Sequence, residues 1–194
     1  MSESRWIPVA EQAKLVRAQL KRHWPAVKFS VKSKSFSGGS SITIAWTDGP
    51  TSKQVESIAY QFKGGGFDGS IDMAYSCRHW LLPDGTAIIQ SSPGTSGSLG
   101  YISPVENGKP HPKAERVSFA ANYISTSRKY SLDFYSRQLL MVCERYGIKN
   151  IPAIKVSGGN AYAPNAWQIR PFPNDTTNLQ DLMYRKIHKT QAAH

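Results

Sequence analysis

The chain switches between two hydrophobic periods, and each switch marks an element. Val9, Ala13, Val16 and Leu20 recur at helical spacing with Lys14, Arg17 and Lys21 on another side, so a helix is predicted over 9–24, ended by Pro25. Phe29-Ser30-Val31 then alternates as a half-buried strand, Ser37-Gly38-Gly39-Ser40 interrupts it, and Ile42-Thr43-Ile44-Ala45-Trp46 alternates again. That is a hairpin with a hydroxyl-rich tip. Thr47-Asp48-Gly49-Pro50 stops the second strand. Thr51 with Gln54 forms a capping-box pattern, and Val55, Ile58, Ala59 and Phe62 predict a helix over 52–62. It ends in Gly64-Gly65-Gly66, where positive φ is expected, and Phe67-Asp68-Gly69 turns the chain into Ile71-Asp72-Met73.

Further on, 78–82 and 86–90 read as strands joined by Pro83-Asp84-Gly85, a hairpin signal. Residues 91–113 are rich in Gly, Ser and Pro without periodicity and are expected to form a long surface loop. A strand is predicted over 117–124, a helix over 131–146 capped by Gly147, a strand over 151–156, Ser157-Gly158-Gly159-Asn160, a strand over 161–167, and a short basic helix over 179–188. Helix, strand, Ser-Gly-Gly, strand thus occurs twice. This predicts an α+β fold, an antiparallel sheet with helices on one face, built from a first module over 1–90 and a second half over 91–194 packed as one unit. A helix followed by a glycine-rich hairpin is common enough to recur without duplication.

The run SVKSKSFSGGSSITIAWTDGP followed by GGGFDGSID resembles the large polyvalent protein-associated domain 29 family, modules of phage and conjugative-plasmid proteins. The resemblance is clearest from Val16 to Asp84, including Trp80-Leu81-Leu82-Pro83-Asp84-Gly85, and Arg128-Lys129-Tyr130-Ser131 and Tyr146-Gly147 look like segments that accompany it. It implies a mobile-element protein that helps incoming DNA survive or establish itself in a host, and it brings no catalytic residue with it.

Composition narrows the picture. Hydrophobic content of 40% and charged content of 19% over 194 residues are those of a globular chain. No apolar run is long enough to span a bilayer and the N-terminus has no apolar leader core, so a soluble, unexported protein of the host cytoplasm is expected, with no membrane partner. Cys77 and Cys143 lack metal spacing and read as buried thiols in a reducing compartment. Lysine and arginine outnumber the acids by 24 to 13, a net charge of +11, which calls for an acidic partner and excludes a DNA mimic. Through Lys34 there are eight basic residues and two acidic ones, a local net of +6.

Asp48, Asp68, Asp72 and Asp84 raise the question of a divalent-metal nuclease. Three of them precede glycine, which turn chemistry alone selects. Cys77, His79 and Asp84 suggest a thiol nucleophile with a histidine base, against the simpler reading of a packed cysteine beside a surface histidine. His23, His111, His188 and His194 show no zinc spacing, and the glycine tips fit no nucleotide-binding fingerprint. No catalytic residue, metal or cofactor is therefore expected. Backbone N–H groups at Ser37, Gly38, Gly39 and Ser40, with Lys32, Lys34 and Lys63, suit phosphate contact, and Lys14, Arg17, Lys21 and Arg22 add a basic helix face. Phe36, Trp46, Phe67 and Tyr75 are either base-stacking platforms or core. The expected function is a non-enzymatic accessory protein that binds nucleic acid, DNA before RNA, or a nucleic-acid-bearing host complex. The alternatives are an anti-CRISPR-like inhibitor that contacts an acidic host defence protein, and a metal-dependent nuclease.

Overall fold

The computed structural model describes residues 4–69, 71–91, 109–172 and 175–190. Most of the predicted glycine- and serine-rich loop, 92–108, and the chain end, 191–194, lie outside the described residues. The organisation is α+β, and the chain divides into two compact units: residues 1–44 with 54–126, and residues 45–53 with 127–194. Among the described residues no helix is long and apolar enough to cross a membrane.

The first unit holds β1 (Arg5–Ile7), α1 (Val9–His23), β2 (Ser30–Phe36), β3 (Gly39–Thr47), α2 (Ser52–Ala59), β4 (Gly65–Asp68), β5 (Met73–Ser76), β6 (Arg78–Leu81), β7 (Ala87–Ser91), β8 (Glu115–Phe119) and β9 (Tyr123–Lys129). The ends of β3 and α2 nearest residues 45–53, and of β9 beyond Thr126, belong to the second unit. The α1 stripe is as the periodicity predicts: Ala13, Val16 and Leu20 are buried. So is Gln12, which the apolar pattern does not reveal. Its Nε2 donates to the carbonyls of Phe62 at 2.6 Å and Ala121 at 3.2 Å, and its Oε1 accepts the Ala121 N–H at 2.8 Å. A buried amide is tolerated because both its ends are satisfied.

That amide also explains a miss. The strand expected over 117–124 is two strands, β8 and β9, because Ala121 gives its N–H to Gln12 and its carbonyl to the Gly64 N–H at 2.8 Å. Its backbone groups are thereby withdrawn from any strand ladder. β8 lies between β1, which it pairs in parallel (Arg5↔Val117, Ile7↔Phe119), and β6, which it pairs antiparallel (His79↔Val117), with β7 outside β6. A second sheet has the order β2-β3-β9, leaving β2 at an edge, and β4 pairs with β5.

Gly64, Gly65 and Gly66 do not adopt the positive φ expected of them. They are glycines because of crowding: a Cβ on Gly64 would lie 2.0 Å from the Phe119 carbonyl oxygen, and one on Gly65 equally 2.0 Å from that of Tyr75. Positive φ is found instead at glycines of other turns, among them Gly38 (88°) between β2 and β3 and Gly85 (80°) between β6 and β7.

The second unit holds α3 (Leu132–Arg145), β10 (Lys155–Ser157), β11 (Asn160–Tyr162) and α4 (Leu179–Lys189). Ser131 caps α3 by accepting the Phe134 N–H, and Asn178 and Asp181 form a capping box on α4. Phe134, Leu139, Val142, Leu179, Leu182 and Met183 pack its core. The strands predicted over 151–156 and 161–167 shrink to three residues each. Ile154 packs against the helices, and Ala163 turns inward, its N–H donated to the Tyr135 hydroxyl at 3.2 Å. Contact with the helical core, which alternation does not encode, shortened both.

Candidate nucleic-acid interface

Lys14, Arg17 and Lys21 are exposed on α1. The Arg17 guanidinium donates to the Val31 carbonyl at 2.6 Å, which seats this face beside β2. Lys14 and Lys21 lie within about a turn on either side of Arg17, and Lys32 follows Val31 directly. Beyond Val31 every residue of β2 is exposed, Lys32 and Lys34 included. Lysines along an edge strand also discourage pairing with another chain.

β2 ends at the two-residue turn Ser37-Gly38, and there the stripe meets a groove of about 770 Å³. The hairpin supplies Ser35, Gly38, Gly39 and Ser40 to it, β1 supplies Trp6, the start of α1 supplies Val9, and β6 and β8 supply Arg78 and Ser118. Trp6 is 61% exposed. Arg78 and Ser118 also line an adjoining cavity of about 460 Å³ together with Arg116, whose guanidinium sits 5.0 Å over the Trp80 ring. The two cavities share Arg78 and Ser118 and together offer serine hydroxyls, two arginines and an exposed indole, and the exposed Lys32 and Lys34 lie on the strand that leads to them.

This surface lies wholly in unit 1. The sequence profile of the family described as large polyvalent protein associated domain 29 matches residues 7–131. The chain belongs to this family. Comparison with curated proteins and with solved structures gives no match.

Within the family module, several residues singled out from sequence are engaged in the fold. Arg22 pairs with Asp84 at 2.7 Å, Lys63 lies 3.8 Å over the Tyr60 ring, and Ser40 is buried. Among the aromatics, Phe36 and Phe67 are exposed, Tyr75 packs over Gly66, and Trp46 is core, its Nε1 donating to the Pro50 carbonyl at 3.0 Å. Trp6, Arg78 and Arg116 escaped sequence reading because they are far apart in the chain. Only the parallel pairing of β1 with β8 and the β8–β6 pairing assemble them.

Asp48, Asp72 and Asp84 are turn residues, whereas Asp68, expected in a turn, is the last residue of β4. Asp48 and Asp72 have positive φ (57° and 53°). Asp48 Oδ1 accepts the Ser131 N–H at 2.9 Å, and Asp84 accepts the Thr86 N–H at 2.9 Å. Arg22 and then Thr86 hold the Asp84 carboxyl down at about 2. Asp68 is buried. Among the described residues no three His, Cys, Asp or Glu side chains converge as a metal would require. His79 is not at the surface, as expected, but fully buried, its ring edge-on to Phe119 at 4.7 Å. Burial pushes its pKa down to about 4, against a smaller opposing effect from the backbone of Lys63 and Cys77.

Proposed function

We propose that unit 1 binds nucleic acid, DNA in the first place, along the α1–β2 stripe and into the groove at its end. Through that contact the protein acts as a non-enzymatic accessory factor of a phage or conjugative plasmid, working in the host cytoplasm to help incoming DNA establish itself or to counter a host defence. The observations that carry the binding reading are the exposed lysine stripe of Lys14, Lys21, Lys32 and Lys34 and, at the end of β2, a groove lined by Arg78 and the exposed Trp6, with Arg116 in the cavity that adjoins it. The mobile-element part rests on family membership.

The chemistry is divided between the two parts. Lysine ammonium groups along the stripe meet phosphates as mobile point charges, without reading sequence. At the groove, serine hydroxyls and the Gly38 and Gly39 backbone add hydrogen-bond donors, and Trp6 gives a base a stacking face. Duplex DNA keeps its bases stacked on one another, so Trp6 favours a single strand or a frayed end.

The test is fluorescence anisotropy with labelled single-stranded and duplex DNA. Arg17 is left in place because it holds β2, and Lys14→Glu, Lys21→Glu and Lys32→Glu are combined. Affinity is expected to fall by about tenfold or more on both DNAs. Trp6→Ala is expected to cost about tenfold on the single strand and little on the duplex. Affinity equal to wild type in the triple variant would overturn the reading.

A further inference from the structure

The second unit carries a groove of its own, about 680 Å³, between the C-terminal ends of α3 and α4. Arg145 lines it from α3, and Arg185, Lys186 and Lys189 line it from α4. Glu144 is the one carboxylate among its lining residues. None of these four cations takes part in an ion pair among the described residues.

Basic residues in the last turn of a helix ordinarily complement its dipole. On α4 that role is already filled. The Arg128 guanidinium donates to the carbonyls of Ile187 at 3.1 Å and Thr190 at 3.0 Å, and the Thr190 hydroxyl donates to that of Lys186 at 2.8 Å. Lys186 and Lys189 are thus not needed as caps. Four positive charges, one negative charge and two helix ends of about half a negative charge each leave the groove at roughly +2.

The floor between these charges is aliphatic: Val142 and Leu182 face it, and Met141 at its lip is 51% exposed. Flanking cations over an aliphatic floor between two helices fit one ligand chemistry better than any other. A nucleic acid would match the charge but gain little from Met, Val and Leu, and the aromatic among the lining residues, Tyr146, is half-buried and already engaged, its ring edge-on to Phe172 at 5.6 Å and 5.7 Å from the Arg145 guanidinium, which leaves a base a poor stacking face. A helix with acidic residues on its flanks and aliphatic anchors on one face matches both features, and a flexible methionine at the lip adapts to the anchors.

We propose that the α3–α4 groove is a docking site for an acidic amphipathic segment of a partner protein, separate from the nucleic-acid surface of unit 1. One protein would then hold nucleic acid with its family module and a protein with its second unit.

The experiment uses the full chain and a labelled synthetic peptide of about 20 residues with Leu at i, i+3, i+4 and i+7 and Glu on the flanks. A scrambled peptide of the same composition and a single-stranded DNA of equal charge are the comparison probes. Wild type is expected to bind the ordered peptide about tenfold or more tighter than the scrambled one. Arg185→Glu with Lys189→Glu is expected to weaken it by a similar factor, and Arg145→Glu, on the facing helix, to weaken it as well. The Lys14→Glu, Lys21→Glu, Lys32→Glu variant should bind the peptide as wild type does, even if it no longer binds DNA. Equal binding of both peptides, no loss in either groove variant with an unchanged melting temperature, or a DNA affinity that falls more than peptide affinity in the groove variants would overturn the proposal.

Discussion

Arg128 is the residue whose removal says most about how the second unit holds together. Its Nε donates to the Asp48 carbonyl at 2.9 Å, Nη2 to those of Gly49 and Thr190 at 3.0 Å each, and Nη1 to that of Ile187 at 3.1 Å. The guanidinium is 5.2 Å from the Tyr130 ring and 5.4 Å from that of Phe134. Desolvation lowers its pKa from the ordinary arginine value, with the Tyr130 and Asp48 charges acting the other way. A hydrogen bond from a charged donor contributes about 1.5–3 kcal/mol net, but four on one group are not additive, and the freed carbonyls near the surface regain water. Arg128→Ala should therefore cost about 3–4 kcal/mol. For a chain of this size that lowers the melting temperature by roughly 6–16 °C.

Arg128→Lys separates charge from geometry. An ammonium group keeps the cation but reaches at most one or two of the four carbonyls, so most of the loss should remain. Arg137→Ala is the control, since Arg137 is exposed and, among the described residues, donates to the Asp133 carbonyl of its own helix. It should stay within about 0.5 kcal/mol. Urea unfolding followed by far-UV circular dichroism measures all three, and amide exchange along α4 shows whether its end frays. A loss below about 0.5 kcal/mol in Arg128→Ala, or full retention in Arg128→Lys, would refute the clamp.

Two further outcomes follow from packing and titration. Gly64→Ala should destabilise by about 2 kcal/mol or more, because the new methyl meets backbone rather than a movable side chain, whereas Gly69→Ala, with nothing within 4 Å of its Cβ, should be near neutral; equal melting temperatures for the two would discard the crowding argument. His79 has a folded pKa of about 4 against about 6.5 unfolded, so the unfolded chain binds the extra proton. Stability from this group is full above pH ~6.5 and declines by about 3 kcal/mol as pH falls to ~4. His79→Leu should flatten that window, and an unchanged pH–stability profile in the variant would show that another group is responsible.

The elements that could be read from sequence are those whose signal is local. The α1 stripe, the Gly147 end of α3, the Pro83-Asp84-Gly85 turn and the two Gly-Gly hairpins depend on neighbours in the chain, and all are found where expected. What was not legible depends on distant backbone. The break between β8 and β9 needs Gln12 and Gly64, which lie 109 and 57 residues away from Ala121. His79 looked like a surface residue because only the pairing with Val117 reveals that its side chain faces Phe119. The site divides in the same way. Its stripe was legible from charge spacing on a helix and a strand, and its groove was not, because β1 reaches β8 across more than a hundred residues.

Net charge overstates what this surface offers a polyanion, and the fold shows by how much. Arginines here tend to serve as cross-links, since a planar fork satisfies several carbonyls or carboxylates at once. Arg5 holds Glu11 and Glu115, Arg17 holds Val31, Arg22 holds Asp84, and Arg128 holds four carbonyls. The lysines Lys14, Lys21, Lys32 and Lys34 have no ion-pair partner among the described residues, and Arg78 and Arg116 join them at the groove. Four lysines and two arginines make six available charges on the proposed surface, not the full formal surplus. If all six meet phosphates, the logarithm of affinity should fall with the logarithm of salt concentration with a slope of about −5 on duplex and about −4 on single-stranded DNA. Reversing Lys14, Lys21 and Lys32 should reduce the slope to about half its value. A slope set by the whole +11, or one unmoved by the three reversals, would mean that the nucleic acid lies on some other face of the molecule.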